Sequence, residues 1–154
     1  MNKLLIGFLF LFFNLTALFA ESFVQANKNL IWDSNKKTYT ANGSVIFQNA
    51  TFTAYSDRMV AQYITENDEE LFTIIELFEN VKIELNDETF LGQYAIYTRD
   101  DNIIKLIGDV SVESPSRILT GDELIADIDN NKRILNSSNK DSLVEVLLDN
   151  NAKN

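Results

Sequence analysis

Short stretches in which apolar and polar residues alternate recur along this chain at matched intervals. Three copies can be aligned by their central valines, which are Val45, Val81 and Val110. Eleven residues after each valine stands a small residue, and these are Ser56, Gly92 and Gly121. Alternation with a period of two is typical of a strand with one buried face, so each copy predicts a β-hairpin unit. The chain is therefore predicted to be one all-β structure built by repetition.

Each copy changes phase at the same place. The spacing from Ala54 to Ser56 is even, whereas Met59 follows Ser56 by three residues, and the other copies repeat this step. A regular strand would turn Met59 to the opposite face. We therefore predict a bulge, or a corner where the strand passes from one sheet to another, at the small residue.

The copies also account for differences in length. Residues 32–40 have the spacing of the end of a half-unit, so a partial copy precedes the first full one. The first copy carries seven additional residues around Glu66–Glu70, which their charge predicts to be a solvated loop. Asn and Asp clusters mark the remaining turns, and strands of five to eight residues, nine or ten in all, are expected.

The inward face of these strands is apolar. It predicts either a closed sandwich core or, if the two sheets splay apart, a groove for acyl chains. Both alternatives remain open from the pattern alone. The residues predicted to line this interior are Val45, Phe47, Met59, Val81, Ile83, Phe90, Val110, Val112, Leu119 and Leu124.

The N-terminal segment indicates export. Lys3 precedes an apolar run from Leu4 to Phe19, and this pattern is typical of a secretory signal peptide. Residues 1–20 are predicted to be removed after Ala20, or alternatively after Ala26, where the preceding small residues fit better. The run is shorter than the ~20 residues of a spanning helix. An uncleaved membrane anchor is the competing interpretation.

Composition excludes several functions. The net charge of −10 and the lack of a basic cluster argue against nucleic-acid binding. The chain contains neither His nor Cys, so the common general base, the thiol nucleophile and the nitrogen and sulfur metal ligands are missing. We predict no enzyme activity, no cofactor and no metal. Five basic residues are interpreted as solvated surface charges rather than phosphate ligands: Lys82, Lys105, Arg117, Lys132 and Arg133.

The ordered repeats resemble one known family. The segments ANGSVIF, TAYSDRMV, LGQYAIY and IGDVSV, followed by LTGDELIAD, are similar to the lipopolysaccharide-transport protein A family, also called the OstA-like domain. The resemblance implies an open β-jelly roll with an apolar interior groove over residues 27–136. Residues 137–154 are then a polar C-terminal tail, with residues 143–148 as a candidate docking strand.

The resemblance also implies a function. It implies a periplasmic bridge protein that carries lipopolysaccharide from the inner to the outer membrane, with the lipid A acyl chains shielded in the groove. Implied partners are an LptC-like inner-membrane protein and an LptD-like outer-membrane protein, joined through edge strands, and head-to-tail copies of the chain itself. Two alternatives remain: an anchored, LptC-like bridge component, and a structural β-repeat protein with a closed core and no ligand.

Overall fold

The computed structural model describes residues 22–149, which form ten antiparallel strands and contain no helix. The predicted all-β class and strand number are confirmed, but the predicted lengths of five to eight residues are wrong for the central strands. These run through their bulges and reach 11 to 17 residues. The strands are β1 Phe23–Gln25, β2 Asn29–Asp33, β3 Thr38–Gln48, β4 Thr53–Glu66, β5 Glu69–Leu85, β6 Glu88–Thr98, β7 Ile103–Ser114, β8 Arg117–Asp127, β9 Lys132–Asn136 and β10 Glu145–Leu148.

The sheet is a meander in which β3 to β8 pair in sequence order. Both edges are split strands. At the N-terminal edge β1 and β2 each pair with a different part of β3, and at the C-terminal edge β9 and β10 each pair with a different part of β8. The two edges do not pair with each other, so the sheet is not closed.

A line of bulges divides the sheet into two halves. Register shifts fall between Asn42 and Val45, and between their equivalents in every later pair of central strands. Half A contains β1, β10 and residues 45–48, 53–56, 81–85, 88–92, 110–114 and 117–121. Half B contains β2, β9 and residues 38–42, 58–66, 69–78, 94–98, 103–107 and 123–127. The predicted corner is confirmed, because side chains from both halves enter one buried cluster.

Backbone conformation explains the corner. At each bulge, β3, β5 and β7 have two successive residues with positive φ. These two residues lie opposite a single residue of the neighbouring strand. In β7 these are Gly108, with φ of 87°, and Asp109, with φ of 47°. Glycine adopts such angles without steric cost, which explains why the first bulge residue is a glycine in β3 and β7. The resulting bend turns the residues on either side toward one interior.

The small residues of the repeat are required for a different reason. Neither Gly92 nor Gly121 has a positive φ. A Cβ atom on Gly92 would lie 2.7 Å from Cγ of Leu106, and one on Gly121 would lie 3.2 Å from the carbonyl oxygen of Asn136. Ser56 is buried and its Oγ donates a 3.0 Å hydrogen bond to the carbonyl oxygen of Arg58. These positions are small because the folded sheet leaves no room there.

The seven additional residues of the first copy do not form the predicted loop. They lengthen the β4–β5 hairpin, which closes in a two-residue turn at Asn67 and Asp68 with φ of 52° and 64°. Asn and Asp tolerate this left-handed geometry, and such two-residue turns match the twist of a hairpin. Charge misled the prediction, since exposed strands carry charged side chains as readily as loops do.

Two expectations concern the termini. The predicted signal peptide, residues 1–20, lies outside the described residues. Within residues 22–149, no helix is long and apolar enough to cross a membrane. In the tail, Glu145–Leu148 forms a strand that pairs with β8 of its own domain.

Candidate functional site

The predicted interior residues lie together in the structure. Nine of the ten are at most 2% exposed and belong to one packed cluster. The tenth, Leu119, is partly buried and packs against that cluster. Sequence alternation therefore identified the interior face correctly. These side chains pack against one another across the two halves, so the halves are not splayed apart around this cluster.

The interior is accessible beside the N-terminal edge of the sheet. A cavity of about 800 Å³ lies beside β1 and β2, at the rims of both halves. We call this opening the N-terminal mouth. It is lined by Ser22, Val24, Leu30, Tyr39, Asn49, Ala50, Thr51, Glu69, Glu70, Leu71, Phe72 and Arg99.

Aromatic rings connect the mouth to the buried interior. The ring centroids of Phe47, in half A, and Phe72, in half B, are 6.1 Å apart. Phe52 lies 5.6 Å from Phe47 and 5.0 Å from Tyr97, which belongs to half B. These edge-to-face and tilted contacts join the rims of the two halves by apolar packing. Phe72 lines the mouth, and Phe47 lies behind it in the buried cluster.

Polar groups surround the mouth. The hydroxyl of Tyr39 donates a 2.6 Å hydrogen bond to Oε2 of Glu70. This hydrogen bond, together with burial and the negative charge of Glu70, raises the pKa of Tyr39 to about 12. Nearby, Nε1 of Trp32 donates a 2.8 Å hydrogen bond to the hydroxyl of Tyr63. The mouth therefore combines an apolar floor with a polar rim.

Toward the C-terminal edge of the sheet, an ion pair joins the rims of the two halves. Nη2 of Arg133, in β9 of half B, lies 2.8 Å from Oε2 of Glu88, in half A. Nε of Arg133 donates to the same oxygen at 2.9 Å, and Arg117 approaches the other carboxylate oxygen at 3.3 Å. The side chains of Arg133 and Glu88 are only 9% and 11% exposed. The interpretation of Arg133 as a solvated surface charge is therefore wrong.

The other paired lysines match the surface interpretation. Lys82 pairs with Glu84 on its own strand, and Lys105 lies 2.8 Å from Glu123 on the neighbouring strand. Both lysine side chains are more than 40% exposed. Neither pair connects half A to half B.

Several lining residues were missed by sequence reasoning. Leu71 and Phe72 directly follow the acidic run of the first-copy insertion, which was interpreted as a solvated loop. Phe52, which is buried beside Phe47, was also missed, although it continues the alternation of Ala54 and Ser56 into the loop before β4. The apolar pair that follows the acidic run was the available signal, because a free loop has no physical reason to contain it.

The described side chains offer no sign of a metal centre. Across residues 22–149, no group of three or more acidic side chains is placed to hold a metal ion. The arrangement provides apolar shelter with a polar edge, which suits binding rather than bond-breaking chemistry.

Fold and cavity together define an open β-jelly roll whose apolar interior is accessible at the N-terminal mouth. Among solved structures, the chain is similar to LptH from Pseudomonas aeruginosa, described as the LptA-homologous periplasmic component of the lipopolysaccharide transport device. The TM-score is 0.72 with 11% sequence identity, and the match covers 84% of this chain and 96% of that one. At that identity the likeness shows the fold, and the predicted jelly roll is confirmed.

The sequence identifies the family. The model of the LptA/LptD N-terminal domain family of lipopolysaccharide transport proteins matches residues 24–132. The chain belongs to this family, whose members are transport components rather than enzymes. No curated protein sequence matches the chain.

Proposed function

We propose that this protein carries lipopolysaccharide through the periplasm by sheltering its acyl chains in the interior between the two halves. The observation that supports the proposal is the N-terminal mouth, a cavity of about 800 Å³ that leads to a buried apolar face. This volume lies within the roughly 300–1,000 Å³ that is typical of small-molecule sites. Each buried CH₂ contributes ~0.8 kcal/mol, so an acyl chain needs no specific polar contact to bind.

In this proposal the mouth takes the first part of the acyl chain. Leu30, Leu71 and Phe72 meet it there, and the ten interior residues predicted from the sequence form the deeper groove once the halves separate. The polar rim at Glu69, Glu70 and Arg99 stays in water beside the sugar and phosphate groups. Separation of the halves is required, because the deeper residues are packed against one another.

The edges of the sheet supply surfaces for partners. At the N-terminal edge Leu30, Ile31 and Trp32 are each more than half exposed, and at the C-terminal edge so are Val146 and Leu147. Edge strands also present unpaired backbone groups that strand addition satisfies. We propose that these edges join the protein to LptC-like and LptD-like partners and to further copies of itself.

The position of β1 bears on processing. Phe23–Gln25 pairs with β3, and Val24 packs against the core. Cleavage after Ala26 would remove this strand, whereas cleavage after Ala20 would leave it in place. We therefore propose cleavage after Ala20. N-terminal sequencing of the exported protein tests this, and retention of residues 4–19 would instead support the anchored alternative.

Photo-crosslinking to purified lipopolysaccharide tests the function. The photoreactive residue is placed in turn at Phe72 in the mouth and at Phe47, Ile83 and Val112 in the interior. Ile107 is a matched control, because it is apolar, 38% exposed and adjacent to the inward-facing Leu106. We expect crosslinks at the mouth and interior positions and none at Ile107.

The outcome separates the two remaining interpretations. If the folded protein crosslinks at none of the mouth and interior positions, the interior is a closed core and the lipid proposal is wrong. The tight packing of the nine buried residues is the observation that favours this second candidate, a structural β-repeat protein without a ligand.

Fluorescence offers an independent measurement. Trp32 is the single tryptophan of the chain, and its ring stacks 6.4 Å from that of Tyr39, which lines the mouth. Titration with lipopolysaccharide should shift its emission in a saturable manner. A charged substitution at the mouth, Leu71→Glu, should weaken this response, whereas Ile107→Glu should not.

A further inference from the structure

The ion pair between Glu88 and Arg133 has an unusual position. Glu88 begins β6, at the rim of half A, and Arg133 lies near the start of β9, at the rim of half B. Among the ion pairs found within residues 22–149, it connects the two halves, whereas the others lie within a turn, a strand or one half. Separation of the halves at this end therefore requires that the pair break.

The pair lies against a buried part of the predicted groove. The guanidinium carbon of Arg133 lies 5.4 Å from the ring centroid of Phe90, which is fully buried. Phe90 is in turn the cross-strand partner of Val112, which is also fully buried. Both residues belong to the predicted groove. An acyl chain can lie against them only after Arg133 has moved.

The pair is held by a complete set of contacts. Nη1 of Arg133 donates to the carbonyl oxygens of Asp127 and Lys132, both at 3.2 Å. Arg117 holds the second oxygen of Glu88. With the donors and acceptors of this site satisfied, the closed arrangement is well defined.

An ion pair differs from an apolar contact in what happens when it opens. When a buried ion pair opens, the hydration of the two charges offsets part of the lost attraction. When an apolar contact opens, its surfaces are exposed to water, which is unfavourable and is not offset in this way. Well-packed hydrophobic residues often replace a buried pair with no loss of stability. Opening the ion pair between Glu88 and Arg133 should therefore cost less free energy than separating the aromatic rings of Phe52 and Tyr97.

We propose that Glu88 and Arg133 form a clasp that closes the C-terminal end of the interior and opens when an acyl chain advances from the mouth toward Phe90 and Val112. This inference rests on the proposed function, to which it adds a gate. In the closed state, lipid reaches the mouth and stops before Val112. When the clasp opens, the interior becomes continuous to its C-terminal end.

Thiol labelling tests the clasp without any lipid. The chain has no cysteine, so Val112→Cys introduces a single, nearly isosteric thiol beneath the clasp. Its rate of reaction with a maleimide follows the population of the open form when opening is fast. Glu88→Gln removes a charge-assisted hydrogen bond, and we expect labelling to become about tenfold faster or more. Arg133→Gln removes the other charge of the pair and should also make thiol labelling at position 112 faster.

Two controls separate opening from general loss of stability. Val45→Cys is a matched thiol in the same core, 1% exposed, and its labelling should not change when Glu88 is replaced. Lys105→Met breaks an ion pair within half B and should leave thiol labelling at position 112 unchanged. Equal acceleration at positions 45 and 112, or no acceleration at 112, would overturn the clasp.

A second experiment keeps the clasp closed and does not depend on whether the glutamine variants fold. Glu88→Cys and Arg133→Cys are bridged with a short, reducible bis-maleimide, and photoreactive residues are placed at Phe72 or Val112. With lipopolysaccharide micelles, we expect the bridge to abolish crosslinking at Val112, to preserve it at Phe72, and to be reversed by reduction. Undiminished crosslinking at Val112 in the bridged protein contradicts the gate.

The two proposals fail in different ways. If the unbridged protein gives no crosslink at Phe72 or Val112, lipid carriage is wrong, and the thiol labelling still decides whether the clasp opens. If lipid crosslinks at Phe72 and Val112 with and without the bridge, carriage stands and the gate is wrong.

Discussion

At the two ends of the interior, the two halves are joined by different chemistry. At the N-terminal mouth, aromatic rings meet beneath an open cavity with a polar rim. At the C-terminal end, a largely buried ion pair joins the two halves, with its guanidinium group beside the ring of Phe90. The same repeated hairpin builds both ends. The difference therefore comes from the few residues at the rims, and the family fold alone does not determine how the halves are joined at each end.

Replacing one phenylalanine at each end with alanine should give the largest difference in the free energy of unfolding between the two ends. Phe90→Ala removes a fully buried ring and should lower the free energy of unfolding by about 3–5 kcal/mol. Phe72→Ala removes a partly buried ring beside a cavity and should cost about 1–2 kcal/mol. Urea unfolding measures both. Equal losses would mean that the mouth is packed as tightly as the closed end.

The clasp itself should give the next largest effect. Arg133→Met leaves Glu88 buried with only Arg117 as a partner, and should cost about 2–3 kcal/mol. Adding Glu88→Leu removes the uncompensated charge, so the double variant should recover much of that loss. A double-mutant cycle by urea unfolding measures the coupling. Additive losses would show that the two side chains do not act as a pair.

The corner between the halves should respond less. Gly92→Ala places a Cβ atom 2.7 Å from Cγ of Leu106, so the core must shift, at a cost of about 1–2 kcal/mol. Gly121→Ala is the matched control, because its nearest contact is 3.2 Å. We expect Gly121→Ala to cost less in the same unfolding assay. The reverse order would place the tight approach elsewhere along the bulge line.

The structural features that depend on the period-2 pattern and the repeat spacing were predicted from the sequence. Spacing alone located the corner at Ser56, Gly92 and Gly121, and alternation identified the inward faces of Val45 and Ile83. These features are local, because a strand's two faces and a bulge are set by neighbours in the chain. The jelly roll followed from the family resemblance built on the same repeats.

The differences between the two ends were not predictable in this way. Arg133 and Glu88 are 45 residues apart, and the meander alone does not bring β9 over β6. Their contact depends on how the two halves twist across each other. Similarly, the charge around Glu69 and Glu70 concealed an extended hairpin that brings Leu71 and Phe72 to the mouth. Long-range placement, rather than residue type, determined both outcomes.

The smallest predicted effect on stability comes from the polar rim of the mouth. It can be measured through the pH dependence of the Tyr39–Glu70 contact. The hydrogen bond from Tyr39 to Glu70 raises the pKa of Tyr39 to about 12, from an ordinary value of 10.0. A raised pKa means that the folded state holds the proton more tightly. The stability from this contact is therefore fully present below pH 10 and is lost as the pH rises from 10 toward 12.

Glu70→Gln should move the titration of Tyr39 back toward pH 10, because it weakens the hydrogen bond that the phenol donates and removes the negative charge of the carboxylate. Phenolate absorbance measures the titration, with circular dichroism to verify that the protein stays folded. Tyr94 is the control: its pKa is also raised to about 12, first by burial and then by its hydrogen bond to Glu76. Glu76→Gln should therefore shift Tyr94 less than Glu70→Gln shifts Tyr39. If Glu70→Gln leaves the absorbance curve unchanged, Tyr39 does not depend on this carboxylate, and the rim of the mouth is less ordered than its 2.6 Å hydrogen bond implies.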